Sequence, residues 1–135
     1  IMIKEQIAGL GEFEFYEDYF IGRIYEGVNA GSNFVDSLSG LIQKHYSGRP
    51  IIYISDRVNS YSLDPIATND LIRRNNIRFA GVVVYSVRQK NLYLYEEHVF
   101  QGVTMCSFDS LDVALRWAEQ KSLELRDVCT TKETH

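Results

Sequence analysis

The chain has 135 residues, of which 45% are hydrophobic and 24% are charged. This length is typical of one globular domain that needs no disulfide or metal to stabilise it. The 18 acidic and 14 basic residues give a net charge of −4 and are interspersed. Because nucleic-acid-binding proteins usually carry a basic stripe, we expect no nucleic-acid partner. No apolar run approaches a membrane span, and the N-terminal residues do not resemble a secretory leader, so we expect a cytoplasmic protein.

The first predicted elements form an antiparallel hairpin. Residues 12–16 alternate polar and apolar side chains, which is the pattern of a half-buried strand. Glu17 and Asp18 are typical of a tight turn, and a second strand is expected over residues 19–26. The glycine-containing stretch 27–32 then indicates a loop.

A first helix is predicted after this loop, with Ser32 or Asn33 as its N-cap and Gly48 at its end. Its apolar residues recur at the spacing of one helix face, namely Phe34, Leu38, Leu41, Ile42 and Tyr46.

The next segment predicts a buried strand at 51–54, because its side chains are almost continuously apolar. A polar loop follows this strand. Asp64 and Pro65 are typical of a helix start, so a second helix is predicted from there to about Arg74. Residues 79–85 predict another buried strand.

The C-terminal third predicts a helix over about 88–100, a strand over 103–108 and a final helix capped by Asp109. We expect residues 1–125 to form a single domain and residues 126–135 to form a frayed polar tail. The predicted order is β-β-α-β-α-β-α-β-α. Strands that are reached across helices favour an α/β fold with a mostly parallel central sheet, here with an N-terminal antiparallel hairpin.

This order resembles that of the STAS-like domains, and three sequence segments strengthen the resemblance. They are residues 13–19, residues 53–62 after the third predicted strand, and residues 108–114. In these segments the chain is similar to the uncharacterised bacterial STAS/SEC14 domain proteins. The STAS side of the resemblance implies a fold like that of anti-sigma-factor antagonists and a signalling role. The SEC14 side implies an apolar cavity between helices and sheet that takes a lipid-like ligand.

In anti-sigma-factor antagonists the loop after the equivalent strand carries an Asp-x-Ser segment, and a phosphorylatable serine follows at the start of the next helix. The resemblance implies that Ser55 and Asp56 take the first place and that Ser60 or Ser62 takes the second. The glycine that usually follows the serine is replaced here by Tyr61 or Leu63.

The polar loop after the third predicted strand is the candidate binding site. It leaves the carboxyl end of a strand, where ligands of open α/β sheets tend to bind. Arg57 is the candidate residue that turn chemistry explains least well, because its charged, planar guanidinium group suits hydrogen bonding to a binding partner. The alternative is that the polar side chains only bond the loop backbone. The candidate binding residues are Asp56, Arg57, Asn59, Ser60, Tyr61, Ser62 and Asp64.

No catalytic or metal-binding pattern is recognisable in the sequence. His45 and His98 are interpreted as solvated helix residues, and no Cys or His pair has the spacing of a zinc site. The chain has no nucleophile elbow and no P-loop, and Cys106 lacks an obvious basic partner. We therefore expect no enzyme activity, no metal and no cofactor.

The composition and the resemblance together predict a regulatory or protein-interaction module, with a carrier of a small apolar or lipid-like ligand as the alternative. The nine tyrosines fit a surface that contacts a protein partner or a second copy of the chain. Tyr93 and Tyr95 cannot share one helix face, so at least one of them is expected to be exposed.

Overall fold

The computed structural model describes residues 2–133, and it describes side chains as far as Asp127. These described residues form eight strands and four helices. In chain order they are β1 (Ile3–Ile7), β2 (Gly11–Phe15), β3 (Tyr19–Ile24), β4 (Asn29–Ala30), α1 (Ser32–Tyr46), β5 (Ile51–Asp56), β6 (Ser62–Leu63), α2 (Pro65–Arg74), β7 (Ile77–Val83), α3 (Val87–Val99), β8 (Thr104–Phe108) and α4 (Leu111–Glu133).

Six strands form one mixed sheet in the order β1-β2-β3-β5-β7-β8. The pairs β1–β2 and β2–β3 are antiparallel, whereas β3–β5, β5–β7 and β7–β8 are parallel. This arrangement confirms the predicted α/β class with an N-terminal antiparallel hairpin and a mostly parallel centre. The short strands β4 and β6 pair separately, in parallel.

The helices cover both faces of the sheet. The larger core lies between the sheet and helices α1 and α2, where Phe20, Leu38 and Leu71 are buried. Ala114 and Ala118 of α4 pack on the opposite face against β5 residues such as Ile52. Side chains alternate between the faces along each strand, so neighbouring residues of β5 contribute to different cores.

Several predicted boundaries were wrong. Helix α1 begins at Ser32 with Gly31 at its N-cap position, and no side chain caps it. Helix α4 begins at Leu111, and the Ser110 Oγ, rather than Asp109, accepts from the Val113 amide at 3.4 Å. That helix continues to Glu133, so residues 126–133 are helical. Whether this segment frays stays a prediction.

Three strands, β1, β4 and β6, were not predicted. Edge strand β1 contains three polar residues between two isoleucines, and it has no regular apolar alternation. Strands β4 and β6 have two residues each, which is too short for any periodicity to show. Among the described residues, no helix is long and apolar enough to cross a membrane.

Candidate functional site

Strand β5 extends two residues further than predicted, and this changes the interpretation of the candidate loop. Ser55 and Asp56 belong to the strand, and the turn begins at Arg57. Asp56 follows Ile54 on the face that α4 covers, whereas Ser55 and Arg57 line the opposite side of the sheet. Two consecutive candidate residues therefore lie on opposite faces.

Asp56 is 3% exposed and is bound by two side chains. The Arg23 Nε donates to Asp56 Oδ2 at 2.8 Å, and the Tyr85 hydroxyl donates to Asp56 Oδ1 at 2.5 Å. Burial and the hydrogen bond to Asp56 raise the pKa of Tyr85 to about 12. Arg23 also pairs with Glu14, so Asp56 belongs to a chain of polar side chains on this face.

Arg57 is 5% exposed and forms an ion pair with Glu96 of α3, which is 3% exposed. The Nη1 atom donates to Glu96 Oε2 at 3.1 Å, and Nη2 donates to Oε1. Burial acts to lower the pKa of Arg57, but Tyr61 and Glu96 outweigh it and raise the pKa above its usual value. Among the side chains that the structure describes, the Arg57 Nε is buried without a hydrogen-bond partner. The sequence suggested that Arg57 is free to contact a partner at the surface. In the structure it is buried and paired instead.

The turn is hydrogen-bonded, through its backbone and its polar side chains, to the end of β3 and to the segment that follows it. Asn59 Nδ2 donates to the Ile24 carbonyl at 3.0 Å, and the Ser60 amide donates to Glu26 at 2.9 Å. Ser62 Oγ donates to Asn29 Oδ1 at 3.1 Å. These contacts support the alternative that much of the loop's polarity serves local structure.

Asp64 caps α2, as predicted. Its Oδ1 accepts from the amides of Ile66 at 2.9 Å and Ala67 at 3.4 Å, and Pro65 occupies the first helical position. The carboxylate therefore serves the helix cap, and whether the exposed Asp64 also contacts a partner stays a prediction.

Helix α3 supplies the part of the site that the sequence analysis did not identify. Ser86 caps the helix by accepting from the Gln89 amide at 3.1 Å, and Gln89 Nε2 donates to the Arg57 carbonyl at 2.9 Å. Three contacts therefore hold the α3 segment to the Asp56–Arg57 pair. Gln89 and Glu96 bind Arg57, and Tyr85 binds Asp56. Sequence spacing gave no signal for this arrangement, because the partners lie 29 to 39 residues apart.

A groove of about 440 Å³ opens between the turn after β5 and the first half of α3. We call it the α3 groove. Its lining combines polar, basic and apolar side chains, and comprises Arg57, Asn59, Ser60, Tyr61, Leu63, Ser86, Arg88, Gln89, Asn91, Leu92 and Glu96. The structure thus brings Arg57, Asn59, Ser60 and Tyr61 together in one groove, whereas Asp56, Ser62 and Asp64 do not line it.

The two described histidines, His45 and His98, belong to no group of potential metal ligands. His45 is half-buried, stacks on Phe15 with ring centroids 4.3 Å apart and pairs with Glu5, so its interpretation as solvated was wrong. His98 is exposed on α3, and His135 lies outside the described residues. Within the described part of the chain, no group of three or more His, Cys, Asp or Glu side chains lies close enough to hold a metal ion.

Comparisons with known proteins identify the fold. No protein-family model matches the chain. A comparison with curated proteins also finds no match. Among solved structures, the chain is similar to an uncharacterised protein of the DUF3478 family with a SpoIIAA-like fold, from Shewanella loihica PV-4. The TM-score is 0.55 at 12% identity, and the match covers 87% of this chain and 92% of the other. The chain therefore has a SpoIIAA-like fold, which confirms the predicted STAS-like architecture.

Proposed function

We propose that this protein is a non-enzymatic regulatory module that binds a partner protein in the α3 groove. The observation that carries this proposal is the groove itself, which lies at the carboxyl ends of parallel strands β5 and β7. Beneath it, the Arg57–Glu96 pair and the Gln89 contact hold the two walls together. A groove that combines polar and apolar side chains suits recognition of a protein segment.

The charge of the groove favours an acidic partner segment. Glu96 neutralises Arg57, so Arg88 is left as the exposed charge among the residues that line the groove. The first turn of α3 contains no acidic residue, and the positive end of the helix dipole lies there. Leu92 in the lining is 45% exposed and offers an apolar contact. We infer that the partner segment carries a carboxylate next to an apolar side chain.

Phosphorylation at this site is a further part of the proposal. Ser60 and Ser62 are both exposed, but only Ser60 lines the groove. A phosphate on Ser60 would place negative charge beside an acidic partner, and so would weaken the interaction. Ser62 is tied to Asn29 and offers a less direct route to regulation.

The carrier alternative receives less support. The apolar cavity beneath the turn has a volume of about 40 Å³, whereas pockets for drug-sized ligands measure roughly 300–1,000 Å³. A lipid-like molecule would require a large rearrangement of α1, α2 and the turn.

The proposal is tested by placing a photo-crosslinking amino acid at Asn91 in the groove and, in a matched variant, at exposed Gln120 on α4. After irradiation in the native host, we expect a specific crosslinked protein from the Asn91 position only. Adding Arg88→Glu to the Asn91 variant should then abolish the crosslink, because the substitution repels an acidic segment. Equal crosslinking at both positions, or none at Asn91, would contradict the proposal.

A further inference from the structure

Helix α3 presents an exposed stripe on the side opposite its two buried residues, Tyr93 and Glu96. On this outward side, exposed residues recur at intervals of four, three and four positions. We call them the α3 seam, and they are Val87, Asn91, Leu94 and His98. Val87 is 79% exposed and Leu94 is 46% exposed. Intervals that alternate between three and four residues are typical of the seam along which two helices pack.

Opposite charges lie on one flank of the α3 seam. Lys90 and Glu97 are both exposed, and they are seven positions apart, so they share a side of the helix. The Lys90 Nζ lies 5.3 Å from the centroid of the Tyr93 ring, and the Tyr93 hydroxyl donates to Glu97 Oε2 at 2.5 Å. In the described part of the chain, both charged groups contact hydroxyl groups or a ring rather than an opposite charge. Their charges therefore remain available to another molecule.

We propose that a second copy of this chain covers the α3 seam, with the two α3 helices antiparallel and related by a two-fold axis. In this register Leu94 lies opposite Asn91 of the second copy, at the centre of the seam. Lys90 of each chain then lies beside Glu97 of the other, so the flank forms two intermolecular ion pairs. A parallel pair of helices would instead place Lys90 beside Tyr95. The charges of this flank are therefore complementary to themselves in the antiparallel arrangement.

The opposite flank of the α3 seam fits the same register. It carries Arg88 and Tyr95, and Tyr95 is 57% exposed. The antiparallel register places Arg88 beside Tyr95 of the second copy, where the guanidinium group can stack on the ring. A seam of one 13-residue helix per chain is smaller than a standard interface of roughly 1,200–2,000 Å². A polar Asn91 in the seam fixes the register at a cost in stability. We therefore expect a dimer that dissociates at micromolar concentrations.

This dimer goes beyond the proposed function and can be tested separately from it. Asn91 and Arg88 border both the α3 groove and the α3 seam, whereas Lys90 and Glu97 lie outside the groove. Substitutions of Lys90 and Glu97 therefore test the dimer and leave the groove lining unchanged. In the crosslinking experiment, a product formed between two copies has the mass of two chains, which distinguishes it from a product with a different protein.

Sedimentation velocity of the full chain, from low micromolar to submillimolar concentrations, tests the proposal. We expect the wild-type protein to dimerise as its concentration rises. Lys90→Glu and Glu97→Lys each place like charges side by side at two points, so each should weaken self-association at least tenfold. An equimolar mixture of these two variants restores both ion pairs, and should form a heterodimer with about the wild-type affinity. An absence of association in this mixture would overturn the antiparallel register.

Leu94→Glu supplies a second test at the centre of the α3 seam. It places a charge without a partner in the interface and should abolish dimerisation. Leu123→Glu is the matched control, because Leu123 is 57% exposed on α4 and its replacement should leave dimerisation unchanged. A dimer that persists in Leu94→Glu would overturn the proposal. A wild-type protein that stays monomeric at the highest concentration would also overturn it, including one that binds phosphatidylcholine vesicles through this seam instead.

Discussion

Asp56 and Arg57 are consecutive residues that bind the same distant segment from opposite sides of the sheet. Asp56 accepts from Tyr85, immediately before the α3 cap, and Arg57 pairs with Glu96 near the end of that helix. Both charged groups are buried, so each depends on its partner for compensation. At the scale of single residues, this pair stabilises the site rather than contacting a partner directly.

Replacing Glu96 with Ala should therefore destabilise the protein strongly. The substitution leaves the Arg57 guanidinium buried without a counter-ion, and we expect the free energy of unfolding to fall by about 3–5 kcal/mol. Urea denaturation followed by circular dichroism measures the change. Arg73→Ala is the control, because it breaks an exposed ion pair with Asp70 and should change stability little. A similar, small effect for both variants would contradict the account.

The Tyr85–Asp56 hydrogen bond should make stability depend on pH in the alkaline range. Because burial and Asp56 raise the pKa of folded Tyr85 to about 12, its contribution is fully present below the unfolded pKa of about 10. It is then lost as pH rises through the folded pKa. We expect Tyr85→Phe to cost about 1 kcal/mol at pH 8 and progressively less above pH 10. A pH-independent difference between the two proteins in urea titrations would contradict this assignment.

At the scale of elements, α3 is held differently from the other helices. Of its thirteen residues, only Tyr93 and Glu96 are buried. Tyr95 is exposed, in agreement with the expectation that the two neighbouring tyrosines face different ways. Val87, Leu92 and Leu94 are also exposed. Tyr93 packs with Val82 and Val84, and polar contacts from the end of β5 add to this small apolar contact in positioning the helix.

Strand β3 contains a glycine that packing requires. A Cβ on Gly22 would lie 2.9 Å from the rings of Phe13 and Tyr53, which cross this position. We expect Gly22→Ala to destabilise the protein by about 1–3 kcal/mol through overpacking.

Gly40 in α1 is the matched control, because a Cβ there meets nothing within 4 Å and the residue is exposed. Gly40→Ala should stabilise the protein by about 0.5–1 kcal/mol, since alanine is the better helix former. Thermal denaturation of the two variants should give Tm changes of opposite sign. Tm changes of the same sign would contradict the close packing of Phe13 and Tyr53 against Gly22.

At the scale of the whole molecule, local patterns predicted the parallel core well. The continuous apolar runs of β5 and β7 and the Asp64–Pro65 helix start depend on neighbouring residues only, and the structure confirms them. Edge strand β1 was missed because pairing with β2, rather than its own pattern, defines it. The candidate loop was predicted from its local polarity and stays a prediction as a binding site, whereas the partners of its charged residues are set by tertiary contacts that no local pattern reports.

The central claim is that the Arg57–Glu96 pair holds α3 in place and so shapes the α3 groove. Amide hydrogen exchange of the wild-type protein and of Glu96→Gln tests it most directly, because this variant removes the charge and retains the size of the side chain. We predict faster exchange in α3 and in the turn at 57–63, with α1 and β5 unchanged. Unaltered exchange in α3, or equal acceleration throughout the chain, would contradict the claim.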